Sequence, residues 1–186
     1  MEEPEKYPWL AIAYHEAGHA VSALVLDLPF DNVTIKPSGD KAGCVVYDNP
    51  IYGMDPDNLS PEAILKIEMA LVITLAGRQA EFLVTRDRTR VDQGALGDVW
   101  CAKDLAEILA KQSSLSSDMK HHFRQGYARA DDVVVICETM INAVAVALLE
   151  SAQDGRWTLT REQALAAIHG QSLTEAHEEI RLIWIG

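Results

Sequence analysis

The sequence predicts a mainly α (α+β) fold, a single helical domain spanning 1–186 with a small β-hairpin or sheet. Three observations lead there. Helix-start signals precede long apolar-rich runs at several points along the chain. One stretch, NVTIKPSGDKAGCVVYD (32–48), reads instead as two short strands around a turn. No internal repeat, low-complexity tract or linker divides the 186 residues, and 48 % apolar content suffices for a real core.

The first helix is expected from about Pro8 to Asp27, because Pro8 suits a first turn and Pro29 stops the helix. Val33 to Ile35 and Gly43 to Tyr47 are the two strands, with PSGD supplying turn residues. A loop rich in Pro, Asp, Asn and Gly covers Asp48 to Leu59. Ser60 and Pro61 then open a long helix, PEAILKIEMALVITLAGRQAEFLV. RDRTRVDQGALG reads as a polar loop, in which Arg86, Arg88 and Arg90 are interleaved with Asp87 and Asp92 as a solvated cluster or a grip for acidic groups. From about Asp98 to Lys111 the residues Val99, Ala102, Leu105 and Leu109 share one helical face. Helices follow over 117–130 and 132–151. Thr160 with Gln163 and Ser172 with Glu175 form capping-box patterns for two C-terminal helices.

A net charge of −12 argues against non-specific binding to nucleic acid or anionic lipid, so no nucleic-acid partner is expected. Cys44, Cys101 and Cys137 form no CxxC pair, which suits buried thiols in a reducing compartment. The N-terminal MEEPEKYPW is acidic where a signal peptide is basic. The apolar run 133–149 is short for a membrane span and contains Glu138, Thr139 and Asn142, so it is read as a buried helix. A soluble, cytoplasmic protein without a membrane segment is the expectation.

The chemistry concentrates in AYHEAGHAV (13–21). Residues four apart on a helix lie about 40° round and 6 Å along the axis from one another. His15 and His19 can therefore reach one metal ion from one face, the geometry of the HExxH motif. Glu16 lies roughly 100° from His15 and 60° from His19, close enough to touch a water on that ion without being a ligand. Zinc would acidify the water and polarise a scissile carbonyl, while Glu16 would take the water's proton and return it to the leaving amine.

A catalytic zinc site needs a third protein ligand. Val25 occupies the place where an HExxHxxGxxH pattern has its last histidine, so that pattern is excluded. His121, His122, His169 and His177 read as surface residues. A carboxylate is expected instead, from Glu62, Glu68, Glu81 or Asp98, and spacing alone leaves all four open. Gly18 and the alanines around it keep the first helix thin, for close approach of a second helix or of a substrate.

AYHEAGHAV, LAGRQAE (75–81) and GALGDVWCA (94–102) resemble, in this order, three motifs of the peptidase domain of FtsH-type zinc proteases. The resemblance implies a zincin-like helical metallopeptidase domain, with His15, His19 and Asp98 as Zn2+ ligands and Glu16 as general base. It implies a second-sphere or structural part for Glu81. It also implies an exposed edge at strand 43–47 to which a polypeptide substrate can pair. GALGD carries leucine and glycine where that family has polar residues. Such proteases are usually membrane-anchored and fused to an ATPase, and no GxxxxGK[ST] phosphate loop occurs here. The expected activity is zinc-dependent endopeptidase action on unfolded or flexible polypeptides, with a separate ATPase as possible partner and a possible homo-oligomer. The competing class is a non-catalytic zinc-binding module that presents its edge strand to another protein.

Overall fold

A computed structural model describes residues 6–39, 42–46, 55, 58–112 and 118–185. Among them, eight helices surround a three-stranded sheet: α1 (Lys6–Val25), β1 (Asn32–Thr34), β2 (Cys44–Val46), α2 (Pro61–Thr85), α3 (Arg88–Gly94), α4 (Leu96–Gln112), α5 (Met119–Ile136), α6 (Glu138–Gln153), β3 (Thr158–Thr160), α7 (Arg161–Ala167) and α8 (Leu173–Ile185). The mainly α expectation holds. Most of the expected 48–59 loop lies outside the described residues.

α1 and α2 pack against each other through small residues. Ala13, Ala17 and Ala20 on α1 and Ala76 and Ala80 on α2 are fully buried. Gly18 makes the approach possible, since a Cβ there would stand 2.6 Å from Ala80 Cβ and 2.8 Å from the Ala76 carbonyl oxygen. A mid-helix glycine costs about 1 kcal/mol against alanine, and here the cost is offset by helix contact. Ile67, Ile73, Leu75, Val21 and Val72 fill the space around this seam, each contributing roughly 1.5–3 kcal/mol by leaving water.

α1 ends one turn before Pro29. Asp27 adopts a left-handed φ of 54°, and the Leu28 amide donates back to the Ala23 carbonyl at 2.9 Å, a Schellman closure. His177 of α8, expected at the surface, is half-buried and donates from Nδ1 to the Val25 carbonyl at 2.7 Å. It satisfies a carbonyl that the helix end leaves orphaned.

The expected hairpin is part of a larger sheet ordered β2-β1-β3, antiparallel throughout, with Val33 opposite Val45 on one side and Leu159 on the other. Three residues of β3 are too few to show strand periodicity, and their partner lies more than 120 positions away in sequence. The Thr158 hydroxyl donates to that of Thr34 at 2.8 Å, which donates in turn to the Trp157 carbonyl at 2.9 Å.

Two further boundaries differ from expectation. The segment read as a polar loop is helical, because Asp87 caps α3 by accepting from the Arg90 amide and Val91 and Ala95 are buried beneath it. The break between α5 and α6 falls at Cys137 with a 78° bend, where no glycine or proline announces it. No single described helix is long and apolar enough to cross a membrane. Cys137 is buried, and burial together with the Glu179 charge pushes its thiol up to about 12. Cys44 is half-buried and Cys101 exposed, so only one of the three thiols is fully buried.

Candidate metal centre

α1 presents His15 and His19 on one face with ring centroids 4.8 Å apart. Each ring is oriented by α2. His19, 7 % exposed, donates from Nδ1 to the Ile73 carbonyl at 2.7 Å. Its ring lies directly over Gly77, where a Cβ would come 2.3 Å from Nε2. His15 donates from Nδ1 to Glu81 Oε2 at 3.0 Å, and the Glu81 side chain is 8 % exposed. With both Nδ1 atoms engaged, the two Nε2 atoms share a third neighbour. Asp98 Oδ2, from the first turn of α4, stands 2.8 Å from Nε2 of His15 and 3.5 Å from Nε2 of His19.

Of the four carboxylates that spacing left open, only Asp98 enters this triangle. Glu62 is exposed. Glu68 pairs with Arg129 of α5 at 3.3 Å. Glu81 touches His15 from behind, at Nδ1 rather than Nε2. Of the other histidines, His121 and His169 are exposed as expected, His122 is half-buried beside His121, and His177 caps α1. Glu16 is 6 % exposed and lies against β2, since a Cβ on Gly43 would stand 2.7 Å from its Oε1.

The electrostatics favour charged imidazoles beside an ionised Asp98. Burial disfavours the charged form of His15, but hydrogen bonds to Asp98 and Glu81 and the charges of Glu16 and Asp98 outweigh it and raise its pKa to about 10. His19 is raised too: burial and His15 oppose the charge, while Asp98 and Glu16 favour it. Asp98 is pushed the other way, well below the usual carboxylate range, because the His19 charge and the bonds to both imidazoles exceed its desolvation. Positive charge is wanted between these side chains. Their three candidate donor atoms lie within 4.8 Å of one another. Two imidazole nitrogens, held in one tautomer by acceptors at Nδ1, plus one carboxylate oxygen form a donor set that fits zinc with a position left for water.

Several supporting residues carry no motif signal of their own. The Ile73 carbonyl is one, and Gly43 is another. Gly77 did carry a signal, being a glycine inside a long helical run, where a packing or functional reason is the usual explanation.

The profile of Peptidase family M41 matches residues 4–142, which include His15, Glu16, His19, Gly43, Ile73, Gly77, Glu81 and Asp98. The chain belongs to Peptidase family M41. Among curated relatives it is 27 % identical over 180 residues to the ATP-dependent zinc metalloprotease FTSH 9, chloroplastic/mitochondrial, of Oryza sativa, covering 84 % of this chain and 21 % of that protein. It is 36 % identical over 109 residues to the ATP-dependent zinc metalloprotease FtsH of Magnetococcus marinus, covering 58 % of this chain and 15 % of that one. For the enzyme of that name from Acidimicrobium ferrooxidans the figures are 33 %, 56 % and 15 %. The chain thus spans about a fifth or less of the length of these M41 relatives. The FtsH-type resemblance read from the three motifs agrees with these matches.

Proposed function

We propose that this domain is a zinc-dependent endopeptidase. His15, His19 and Asp98 would hold the ion, and Glu16 would act as general base. The observation that carries the reading is the convergence of both Nε2 atoms on Asp98 while each Nδ1 is tied elsewhere. Zinc bound there supplies a Lewis acid and makes its water acidic near neutral pH.

The protein's own contribution is placement and proton handling. Glu16 follows His15 directly and lies against Gly43 just before β2. A carboxylate there takes a proton from the attacking water and passes it to the departing amine nitrogen, so the hydrolysis consumes one water and leaves the enzyme unchanged. β2 is one of the two edge strands of the described sheet, the one next to Gly43 and Glu16. An extended substrate adding to that edge would bring its backbone past Glu16. Edge pairing needs an extended chain, so unfolded or flexible polypeptides are the proposed substrates. The relatives' names specify ATP dependence, and no phosphate loop lies within these 186 residues. Any unfolding force would come from outside them.

The test is cleavage of an unstructured casein-like substrate by zinc-loaded protein without ATP, against Glu16→Gln. Cleavage lost in the variant, with zinc still bound, supports the reading. No cleavage by either protein, or loss of the fold on chelation, would favour the non-catalytic zinc module.

A further inference from the structure

Arg90 has no assigned part in this site, and the geometry gives it one. The Asp87 side chain caps α3 on the Arg90 amide at 3.1 Å. From there the Arg90 side chain returns to α2, with its Nε 3.6 Å from Glu81 Oε1. The other Glu81 oxygen accepts from His15 Nδ1 at 3.0 Å. A nearly buried carboxylate thus has a guanidinium as an ion-pair neighbour on one side, beyond hydrogen-bond distance, and a hydrogen-bonded candidate metal ligand on the other. Arg86 and Arg88 do something different, lying over the Phe82 ring at 5.9 and 4.8 Å. The arginine cluster is therefore three separate contacts rather than one grip.

We propose that Arg90 is a positioning residue for the metal centre, fixing His15 through Glu81, a role that rests on the zinc-site reading above. Two physical arguments support it. The first is geometric. A glutamate held at only one oxygen can rotate about its last torsion, which is broad, and His15 would turn with it. The ion pair to the second oxygen, 3.6 Å long and without a hydrogen bond, restrains that torsion electrostatically and so biases the imidazole plane before the ion arrives, where a metal–nitrogen bond tolerates only about 0.2 Å of error. The second is charge. Glu81 brings a carboxylate whose side chain is 8 % exposed. An unpaired charge away from water is costly. Among the described ion pairs, Arg90 is the only arginine or lysine paired with Glu81.

α3 has a second tether to α2, between Asp92 and Arg78, and it bypasses Glu81. That pair separates a specific route through Glu81 from general docking of α3.

The experiment is zinc affinity by competition with a chromophoric chelator, with the cobalt(II) absorption spectrum as a report on ligand geometry. Arg90, 40 % exposed in its side chain, should tolerate replacement without unfolding. Arg90→Gln is expected to weaken zinc binding about 3- to 10-fold, somewhat less than the 10–100-fold typical of losing a ligand's direct partner, and to alter the cobalt spectrum. Arg90→Lys should recover most of the loss, and Asp92→Asn should leave both readouts as in the wild type. In a Glu81→Gln background, Arg90→Gln should add nothing. Wild-type affinity in Arg90→Gln, equal losses in Arg90→Gln and Asp92→Asn, or an undiminished effect without Glu81 each overturns the proposal. Wild-type affinity in His15→Ala would overturn the metal-site reading beneath it, a result those three outcomes do not mimic.

Discussion

Replacing Gly77 by alanine tests the centre with one methyl group. The new Cβ would sit 2.3 Å from His19 Nε2, 2.6 Å from Cε1 and 2.8 Å from Cδ2. Nonbonded atoms settle at about 3.5 Å, so the ring must retreat by roughly 1.2 Å. A zinc–nitrogen bond near 2.1 Å tolerates about 0.2 Å. The retreat is several times larger, and His19 leaves the coordination sphere. Losing a ligand should exceed the upper end of the loss from an outer partner, so zinc affinity is expected to fall at least about 100-fold. With zinc in excess over both dissociation constants, that fall removes about 2.7 kcal/mol of metal-linked stabilisation. Alanine meanwhile gains about 1 kcal/mol of helix propensity, against an overpacking cost of about 1–3 kcal/mol. The metal-free fold should therefore lose little, and the zinc-loaded one much. Chelator competition and thermal unfolding with and without zinc separate the two. If Gly77→Ala binds zinc within threefold of the wild type, His19 is not a ligand and the reasoning fails.

Glu16→Gln should lower peptide hydrolysis by about 10²–10⁴-fold while leaving zinc affinity nearly unchanged, read from initial rates beside metal analysis. Gly18→Ala should destabilise the fold by about 1–2 kcal/mol, because its methyl meets the Ala76 carbonyl as well as Ala80. Gly97→Ala, with nothing within 4 Å of its Cβ, should be neutral or slightly stabilising; equal melting temperatures for the two variants would contradict the packing account. For chelator-treated protein, His15 is raised from 6.5 to about 10, so its contribution is complete below pH 6.5 and is lost as pH rises toward 10. Asp98 is lowered, so its contribution is complete above its ordinary value near 3.8 and is lost on acidification. Urea midpoints of the chelated protein should therefore decline between pH 6.5 and 10, whereas zinc affinity, which competes with protons on the same imidazoles, should rise.

Some of this was legible along the chain. Ser60 and Pro61 start α2 where local capping chemistry says they should, and Thr160 with Gln163 starts α7 through both bonds of a capping box. His15 and His19 declared their shared face, and Glu16 its place beside it, by spacing alone, because a helix converts sequence separation directly into angle. Contacts with no such conversion stayed hidden. β3 is three residues paired across a gap of more than a hundred. α3 looked like a polar loop until Val91 and Ala95 found a core to enter. Spacing left four carboxylates open, and only the resemblance of GALGDVWCA to a family motif pointed to Asp98. Asp98 alone reaches both Nε2 atoms because α3 folds back on α2 and aims the start of α4 at α1. Periodicity and capping are properties of neighbours in sequence, and the sequence by itself determined most of the helices, the histidine pair and its family. The approach of Asp98 to both Nε2 atoms, the glycine floor under His19 and the link from Arg90 through Glu81 arise where distant helices meet. Only tertiary packing could decide them, because they depend on which faces come together after burial.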